Sequence, residues 1–449
     1  RPDAQTTGFW EGGHTTLQAA HLLGSRDLGA LPGGPLALAA GASLARESYR
    51  KTASPLAQGI GDTRFLESAD IVPYRAERTL RAVFAELVAP LSRAFEATAS
   101  LRHDTTSDFG AATTAKLSAR WQPRREWLLR ASVGTGFKAP TLAQVQATRQ
   151  LYGATLAYYD CTPDLQAIAD DLGAVCPPDG TQYNVYAEGN ADLKPEKSLQ
   201  WTLGLRVEPS DTLSIGADLW QVRVRRAIGQ VSDATIFADP LAWRDLFTTY
   251  TDATGTTYLA MLLPNRNLGD QVQRGVDVDV RARVPLPAGV WTSQLALTHH
   301  LKDAYQFVPG GAYHSSLGRF GPDGAVTFRW QGRWVNALAA GRWTHALAVN
   351  FRSGYRDQTY TADDWVVFDV ATGEPIDYAG RVRAHVTFDW QSRWQVGRAA
   401  ALTLGVLNVA DRDPPRSLLS AGGGFALGYD DRYYDPRGRT FYASVDLRF

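Results

Sequence analysis

Apolar and polar residues alternate strictly, with a period of two, from one end of the chain to the other. In Leu199-Trp201-Leu203-Leu205-Val207 one face is apolar, while Gln200, Thr202, Gly204 and Arg206 occupy the other. That is the periodicity of a β-strand. Val276-Val278-Val280-Ala282-Val284 alternates with Asp277, Asp279, Arg281 and Arg283, and Val382-Ala384-Val386-Phe388-Trp390 with Arg383, His385, Thr387 and Asp389. The last run sets Phe441, Ala443, Val445, Leu447 and Phe449 against Tyr442, Ser444, Asp446 and Arg448.

The pattern predicts strands at 14–25, 35–50, 77–89, 92–102, 113–121, 127–136, 197–208, 212–226, 270–284, 290–302, 325–339, 343–355, 381–391, 399–408 and 438–449. The links between them alternate in length. Short ones (90–91, 122–126, 209–211, 285–289, 340–342) separate long ones (51–76, 137–196, 227–269, 303–324, 356–380, 409–437). Short turns at one rim and long loops at the other distinguish a transmembrane antiparallel β-barrel from a soluble sandwich, with the turns periplasmic and the loops extracellular. Trp121, Trp127, Trp330, Trp343, Trp390 and Trp394 sit at or beside predicted turns, where amphipathic rings suit a membrane interface.

Composition fits this fold class. The 449 residues carry 46 Lys+Arg against 46 Asp+Glu and 48 aromatics, and they have 40 Arg to 6 Lys and 35 Asp to 11 Glu. Surface helix formers are therefore scarce. Zero net charge gives no general cationic surface, so no nucleic acid is expected as a partner. The longest charge-free stretch, 28–45, is broken by Gly29, Pro32, Gly33, Gly34, Pro35 and Gly41 and cannot be a membrane helix. No signal peptide begins at Arg1, which suits a mature chain or a fragment.

Several motifs lie at the strand ends. Arg130-Ala131-Ser132-Val133-Gly134-Thr135-Gly136-Phe137-Lys138-Ala139-Pro140 closes a strand and opens the longest loop. It resembles the R-x-S-x-x-x-G-F-[KR]-A-P signature of TonB-dependent outer-membrane receptors. Asn190-Ala191-Asp192-Leu193-Lys194-Pro195-Glu196, Arg274-Gly275-Val276-Asp277, Leu407-Asn408-Val409-Ala410-Asp411-Arg412-Asp413-Pro414-Pro415 and Tyr434-Asp435-Pro436-Arg437-Gly438-Arg439 are similar to further motifs of that family, in its order. The resemblance covers roughly residues 35–449.

The resemblance implies a 22-stranded barrel plugged by a separate N-terminal domain. About 15 of the expected 22 strands come out, an odd number where bacterial barrels are even, so further strands, plug and TonB box are expected before Arg1. Residues 1–449 then form one partial barrel domain. It implies TonB-coupled uptake of a scarce ligand, a ferric siderophore by base rate. The implied partners are the TonB-ExbB-ExbD complex, outer-membrane lipid and lipopolysaccharide, the barrel assembly machinery and a small ligand such as a metal chelate. A terminal aromatic, Phe449, matches the family's assembly signal. A passive porin, carbohydrate- or cobalamin-type uptake, and a surface enzyme on a β scaffold are the alternatives.

The motif residues Gly136, Phe137, Lys138, Ala139, Pro140, Asn190, Leu193, Pro195, Glu196, Asn408, Pro414, Arg439 and Phe449 read as architectural, since none supplies a reactive group. No catalytic site, resident cofactor or resident metal is expected. The Gly134-x-Gly136 pair fails as a phosphate cradle, and there is no G-x-S-x-G, H-x-x-x-H or H-E-x-x-H. Cys161 and Cys176, in the longest loop, favour a disulfide in an oxidising compartment, with metal binding as the rival. The pairs Asp170-Asp171, Asp363-Asp364 and Asp430-Asp431 read as solvated loop charge rather than calcium ligands. For ligand recognition the candidates are loop aromatics, chiefly Tyr158, Tyr159, Tyr186, Trp243, Tyr305 and Tyr355, with Tyr152, Tyr183, Tyr250, Tyr313 and Tyr360 beside them.

Overall fold

Fifteen antiparallel strands form one continuous sheet in a computed structural model that describes residues 8–60, 71–155, 157–418 and 428–448. In chain order the wall strands are Glu11–Leu31, Gly34–Ala53, Tyr74–Ser92, Phe95–Thr106, Gly110–Arg124, Trp127–Lys138, Glu196–Ser210, Leu213–Arg225, Gln271–Leu286, Gly289–Tyr305, Trp330–Ala340, Trp343–Arg352, His385–Gln395, Ala400–Leu407 and Thr440–Leu447. Each pairs with its neighbour in sequence, the meander expected of a barrel wall. Phe449 lies outside the described residues.

The links obey the alternation with one exception. Every lower-rim turn (32–33, 93–94, 125–126, 211–212, 287–288, 341–342, 396–399) has two to four residues. At the upper rim 54–73, 139–195, 226–270, 306–329, 353–384 and 408–439 are long, but 107–109 is a tight turn. The first two strands reach 21 and 20 residues, about twice what crosses a bilayer, so the wall continues above the hydrocarbon. Three expected strands lose an end to the loops: 325–329, 353–355 and 381–384 leave the wall, and Tyr378–Val382 pairs instead with Tyr355–Tyr360.

The two faces of the wall differ in kind. Leu22, Leu44, Val83, Leu101, Leu117, Val133, Leu199, Leu203, Ile215, Leu347, Trp390 and Leu404 share one face and are all exposed, with Leu203 at 53%. So much bare apolar surface is stable in lipid and not in water. Trp121, Trp127, Trp343 and Trp394 edge this belt near the lower turns, and Trp343 stacks on Trp394 at 5.5 Å. Trp390 instead sits mid-strand between Leu347 and Val406.

The inner face carries ion pairs that reach across a strand. Arg130 bonds Asp218 at 2.5 Å, passing Gly204, the residue paired with both. Arg206 bonds Asp279 at 2.8 Å across Gly216 in the same way. A Cβ on Gly204 would lie 2.1 Å from Asp218 Oδ1, and one on Gly216 would lie 2.2 Å from Asp279 Oδ1. Glycine is required here to let a side chain cross, not for an unusual φ. His299 and His300, adjacent in one strand, split between the faces: His299 stacks on Trp330 at 3.9 Å outside, and His300 meets Trp220 edge-on at 5.9 Å inside.

The buried core lies in the loops rather than in the wall. One cluster gathers Leu165, Ile168, Tyr183, Val185, Ile236, Phe237, Leu246, Phe247, Leu259 and Met261; a second joins Val326, Phe328, Tyr355, Val382 and Tyr434. No described helix is long and apolar enough to cross a membrane.

Candidate functional site

Three long loops fold together over the upper rim. The 139–195 loop contributes the helix Pro163–Leu172, N-capped by Thr162 with Pro163 at its first turn. It also supplies two strands, Gln150–Ala154 and Asn184–Ala187, which join Phe247–Thr251 and Thr257–Leu262 in a four-stranded sheet. Strands Thr257–Leu262 and Asn184–Ala187 run parallel, a pairing no local pattern announces. Cys161 and Cys176 are joined, with Cα atoms 6.1 Å apart, bracketing the helix. Closing a loop of about 16 residues contributes roughly 3 kcal/mol in the loop-entropy model. A Cys161→Ser, Cys176→Ser variant is therefore expected to open the loops to protease at several degrees lower temperature. The wall should retain its heat-resistant electrophoretic mobility, and equal loop protection in both proteins would refute the expectation.

The sequence motifs brace the loops onto the wall. Lys138 pairs with Glu196 at 3.3 Å, and Gly136 lies beside Ser198, so two distant motifs are cross-strand neighbours. Phe137 meets Phe109 at 6.1 Å. Ala139 leads into buried Pro140, whose carbonyl accepts from Arg78 at 2.7 Å, and Arg78 is itself buried against Asp108 at 2.6 Å. Asn190 donates to the Asn265 carbonyl at 2.9 Å and accepts from the Asp192 amide at 2.9 Å, while Leu193 and Pro195 are buried. Asn408, at φ 49°, accepts from the Arg412 amide at 3.0 Å, and Pro414 follows half-buried. The Arg439 guanidinium donates to the Val409 carbonyl at 2.9 Å, joining the last two motifs. Asp435 is pulled down to about 2 by its hydrogen bonds from Arg437.

Beneath the folded loops lies a cavity of about 810 Å³, lined by residues of all three loops and of the wall strands Gln271–Leu286 and Gly289–Tyr305. Its polar lining includes Asp233, Asp303 and Asp323 with Gln271, Gln273 and Gln306; Met261, Leu268 and the Tyr305 ring supply apolar surface. No Lys, Arg or His is among the lining residues. Asp303 accepts from Gln273 at 3.3 Å and from the Ser316 amide at 2.9 Å, and Asp323 accepts from Ser316 Oγ at 2.6 Å. Tyr305 Oη and Ser316 Oγ are 3.0 Å apart, which fixes the ring at the cavity wall.

Of the six chief aromatics, Tyr305 alone lines this cavity, with Tyr152 of the wider set. Tyr159 stacks on Phe237 at 3.9 Å inside the first loop core, where burial and then the Asp233 carboxylate push its phenol far up. Trp243 packs on the same core under Arg266 at 5.8 Å. Tyr355 is 2% exposed in the second core, its phenol also raised by burial. Tyr158 is exposed and Tyr186 half-buried in the strand Asn184–Ala187. Tyr183 is wholly buried and pushed up to about 12 by burial, then by Asp179 and Asp160. Alternation along the two wall strands could have signalled Gln271, Gln273, Asp303 and Tyr305 as one face; nothing local signalled Asp233 or Asp323.

The paired acids are not uniformly solvated. Asp171 pairs with Arg244 at 2.6 Å and Asp364 caps its own turn at Thr361, but Asp430 is 0% exposed and bonds Arg432 at 2.9 Å. Among the described residues no three His, Cys, Asp or Glu side chains are grouped to hold a metal ion.

An outward apolar belt, an inner polar ladder and a loop-roofed cavity define an outer-membrane β-barrel of the receptor class. Residues 4–409 match the family described as TonB dependent receptor-like, beta-barrel, and the chain belongs to it. Barrels of this family reside in the Gram-negative outer membrane. No curated protein sequence matches the chain. Among solved structures it is similar to the siderophore receptor PirA from Acinetobacter baumannii, at 14% identity and TM-score 0.65, covering 97% of this chain and 55% of that one. A mutant of the ferric enterobactin receptor PfeA from Pseudomonas aeruginosa, in complex with enterobactin, gives 17% identity, TM-score 0.65 and coverage of 97% and 54%. The copper transporter OprC gives 16%, 0.57, and 98% and 57%. The chain thus spans little more than half the length of these proteins, and at such identities the likeness is one of fold.

Proposed function

We propose that residues 1–449 form part of the barrel and the outer binding surface of a receptor for TonB-coupled uptake of a small metal chelate that is neutral or cationic. The observation that carries this reading is the charge of the 810 Å³ cavity: three carboxylates and no cationic side chain among its lining residues. Its volume falls in the range of small-ligand sites, about 300–1,000 Å³. A multiply anionic chelate would meet like charge there without a counter-charge, which costs affinity and association rate. Amide side chains and the Tyr305 ring offer hydrogen bonds and a stacking face to a neutral hydroxamate-type complex. Membership of the family and the siderophore-receptor fold neighbours support the chelate class. Energy would come from the TonB-ExbB-ExbD complex, which membership of the family supports.

Radiolabelled ferric chelates of different charge, offered to cells whose only receptor is the natural full-length protein, test this reading. Uptake of a neutral tris-hydroxamate complex is expected to exceed that of a trianionic tris-catecholate by tenfold or more, and to vanish without TonB. Asp303→Asn with Asp323→Asn should narrow that preference. Preferred uptake of the trianion would overturn the charge argument, and free diffusion of neutral sugars through the full-length protein in liposomes would favour a porin.

A further inference from the structure

Four arginines converge on a second, separate cavity of about 340 Å³ at the upper rim, lined by Ser315, Leu317, Gly318, Arg319, Arg329, Arg356 and Arg381. They come from three stretches of chain that the sheet brings side by side. Arg319 bridges Arg356 in parallel, and Arg356 faces Arg381 directly across an antiparallel pair. Tyr355, Asp357 and Val382 are buried on one face of these strands, and Arg356 and Arg381 are exposed on the other. Three adjacent backbones therefore hold a row of like charges, an arrangement that is destabilising by itself.

Among the described residues no carboxylate pairs with the row. Several other loop arginines are matched, as in Arg149 with Glu188, Arg244 with Asp171, Arg266 with Asp245 and Arg437 with Asp435. Among the described residues none of these four makes an ion pair, and Arg319 Nε is committed to the Ser315 carbonyl at 2.6 Å. The nearest acid in sequence, Asp357, turns to the opposite face and accepts from Ser417 Oγ and the Leu418 amide, each at 2.8 Å. Gly318, at φ 66°, leaves room for the Arg329 side chain: a Cβ there would lie 2.8 Å from Arg329 Nε.

We propose that Arg319, Arg329, Arg356 and Arg381 form a binding site for a phosphate group, distinct from the acid-lined cavity. Guanidinium forks match the geometry of phosphate oxygens, and a multiply charged oxyanion offsets the mutual repulsion of the row. Arg329 directly precedes Trp330, which stacks on His299 at the top of the outward belt, the level at which rings meet lipid headgroups. A phosphorylated lipid headgroup and phosphate in solution share this chemistry.

Native mass spectrometry of the natural full-length receptor distinguishes them. It is reconstituted from phosphatidylcholine vesicles with or without bisphosphorylated lipid A, or titrated with inorganic pyrophosphate. Wild type is expected to retain one of these probes, and Arg356→Gln with Arg381→Gln to weaken it by roughly tenfold or more. Retention of lipid A alone assigns a headgroup; retention of both assigns phosphate in general; retention of pyrophosphate alone assigns a soluble ligand. The Gln variant removes repulsion and should fold as well as wild type. Should it not accumulate, Arg356→Lys with Arg381→Lys, which keeps charge but loses the forks, is expected to weaken binding several-fold. No retention of either probe by wild type, or undiminished retention by the variant that folds, would overturn the proposal.

Discussion

A Leu203→Arg, Leu347→Arg double variant is expected to lose nearly all heat-resistant barrel from the outer membrane, while Thr202→Arg accumulates normally. Leu203 and Leu347 lie mid-strand on the exposed apolar face, and Thr202 points inward to a 2.8 Å hydrogen bond with Ser132. Arginine at the bilayer midplane costs about 2–4 kcal/mol per site in such barrels. Two sites together approach the 5–15 kcal/mol by which folded proteins are ordinarily stable. Thr202→Arg forfeits one exchangeable hydrogen bond, about 1 kcal/mol, and places its charge among the inner polar groups. Heat-modifiable mobility of outer-membrane fractions reads both variants. Wild-type levels of the double variant would mean that the exposed apolar face does not meet lipid.

Ile236→Asp is expected to separate the loops from the wall. Ile236 is 0% exposed in the short helix Asp233–Ala238, packed in the first loop core, and that helix begins with the cavity residue Asp233. An unpaired carboxylate in that core costs several kcal/mol, more than a loop cluster of this size is expected to withstand. The wall strands pair only with one another in their sheet, so the barrel should keep its mobility on gels. Binding of the proposed chelate should fall at least a hundredfold, and loops 139–195 and 226–270 should become protease-sensitive. Retained affinity with cleaved loops would remove the cavity as the ligand site; a lost barrel would show that the loop core supports the wall.

The wall was legible because its information is local. Leu199 to Val207 and Phe441 to Leu447 each declare a strand within a few residues, and the short turns fix the order of neighbours. The exception, the tight upper turn at 107–109, shows that link length is a tendency and not a constraint. The motifs were legible as positions but not as partners. That Lys138 meets Glu196, or that Asn408 and Arg439 brace one corner, follows from pairing that brings residues 30 to 60 apart together.

The loops were not legible, for a physical reason. Tyr159 and Tyr355 carry the same composition signal as Tyr305, yet Tyr159 packs against one loop core, Tyr355 is buried in the other, and Tyr305 lines the cavity. Which way a ring turns depends on what distant chain packs against it, and the parallel pairing of Thr257–Leu262 with Asn184–Ala187 has no signature in either segment. By itself the sequence determined a membrane wall of alternating strands, its polarity from turns to loops, and its family. Only the tertiary structure decided that loops 139–195 and 226–270 share one core, that three aspartates from separate segments face one cavity, and that four arginines face another. Alternation records which side of a strand meets lipid, and burial among loops records contacts between residues far apart in the chain.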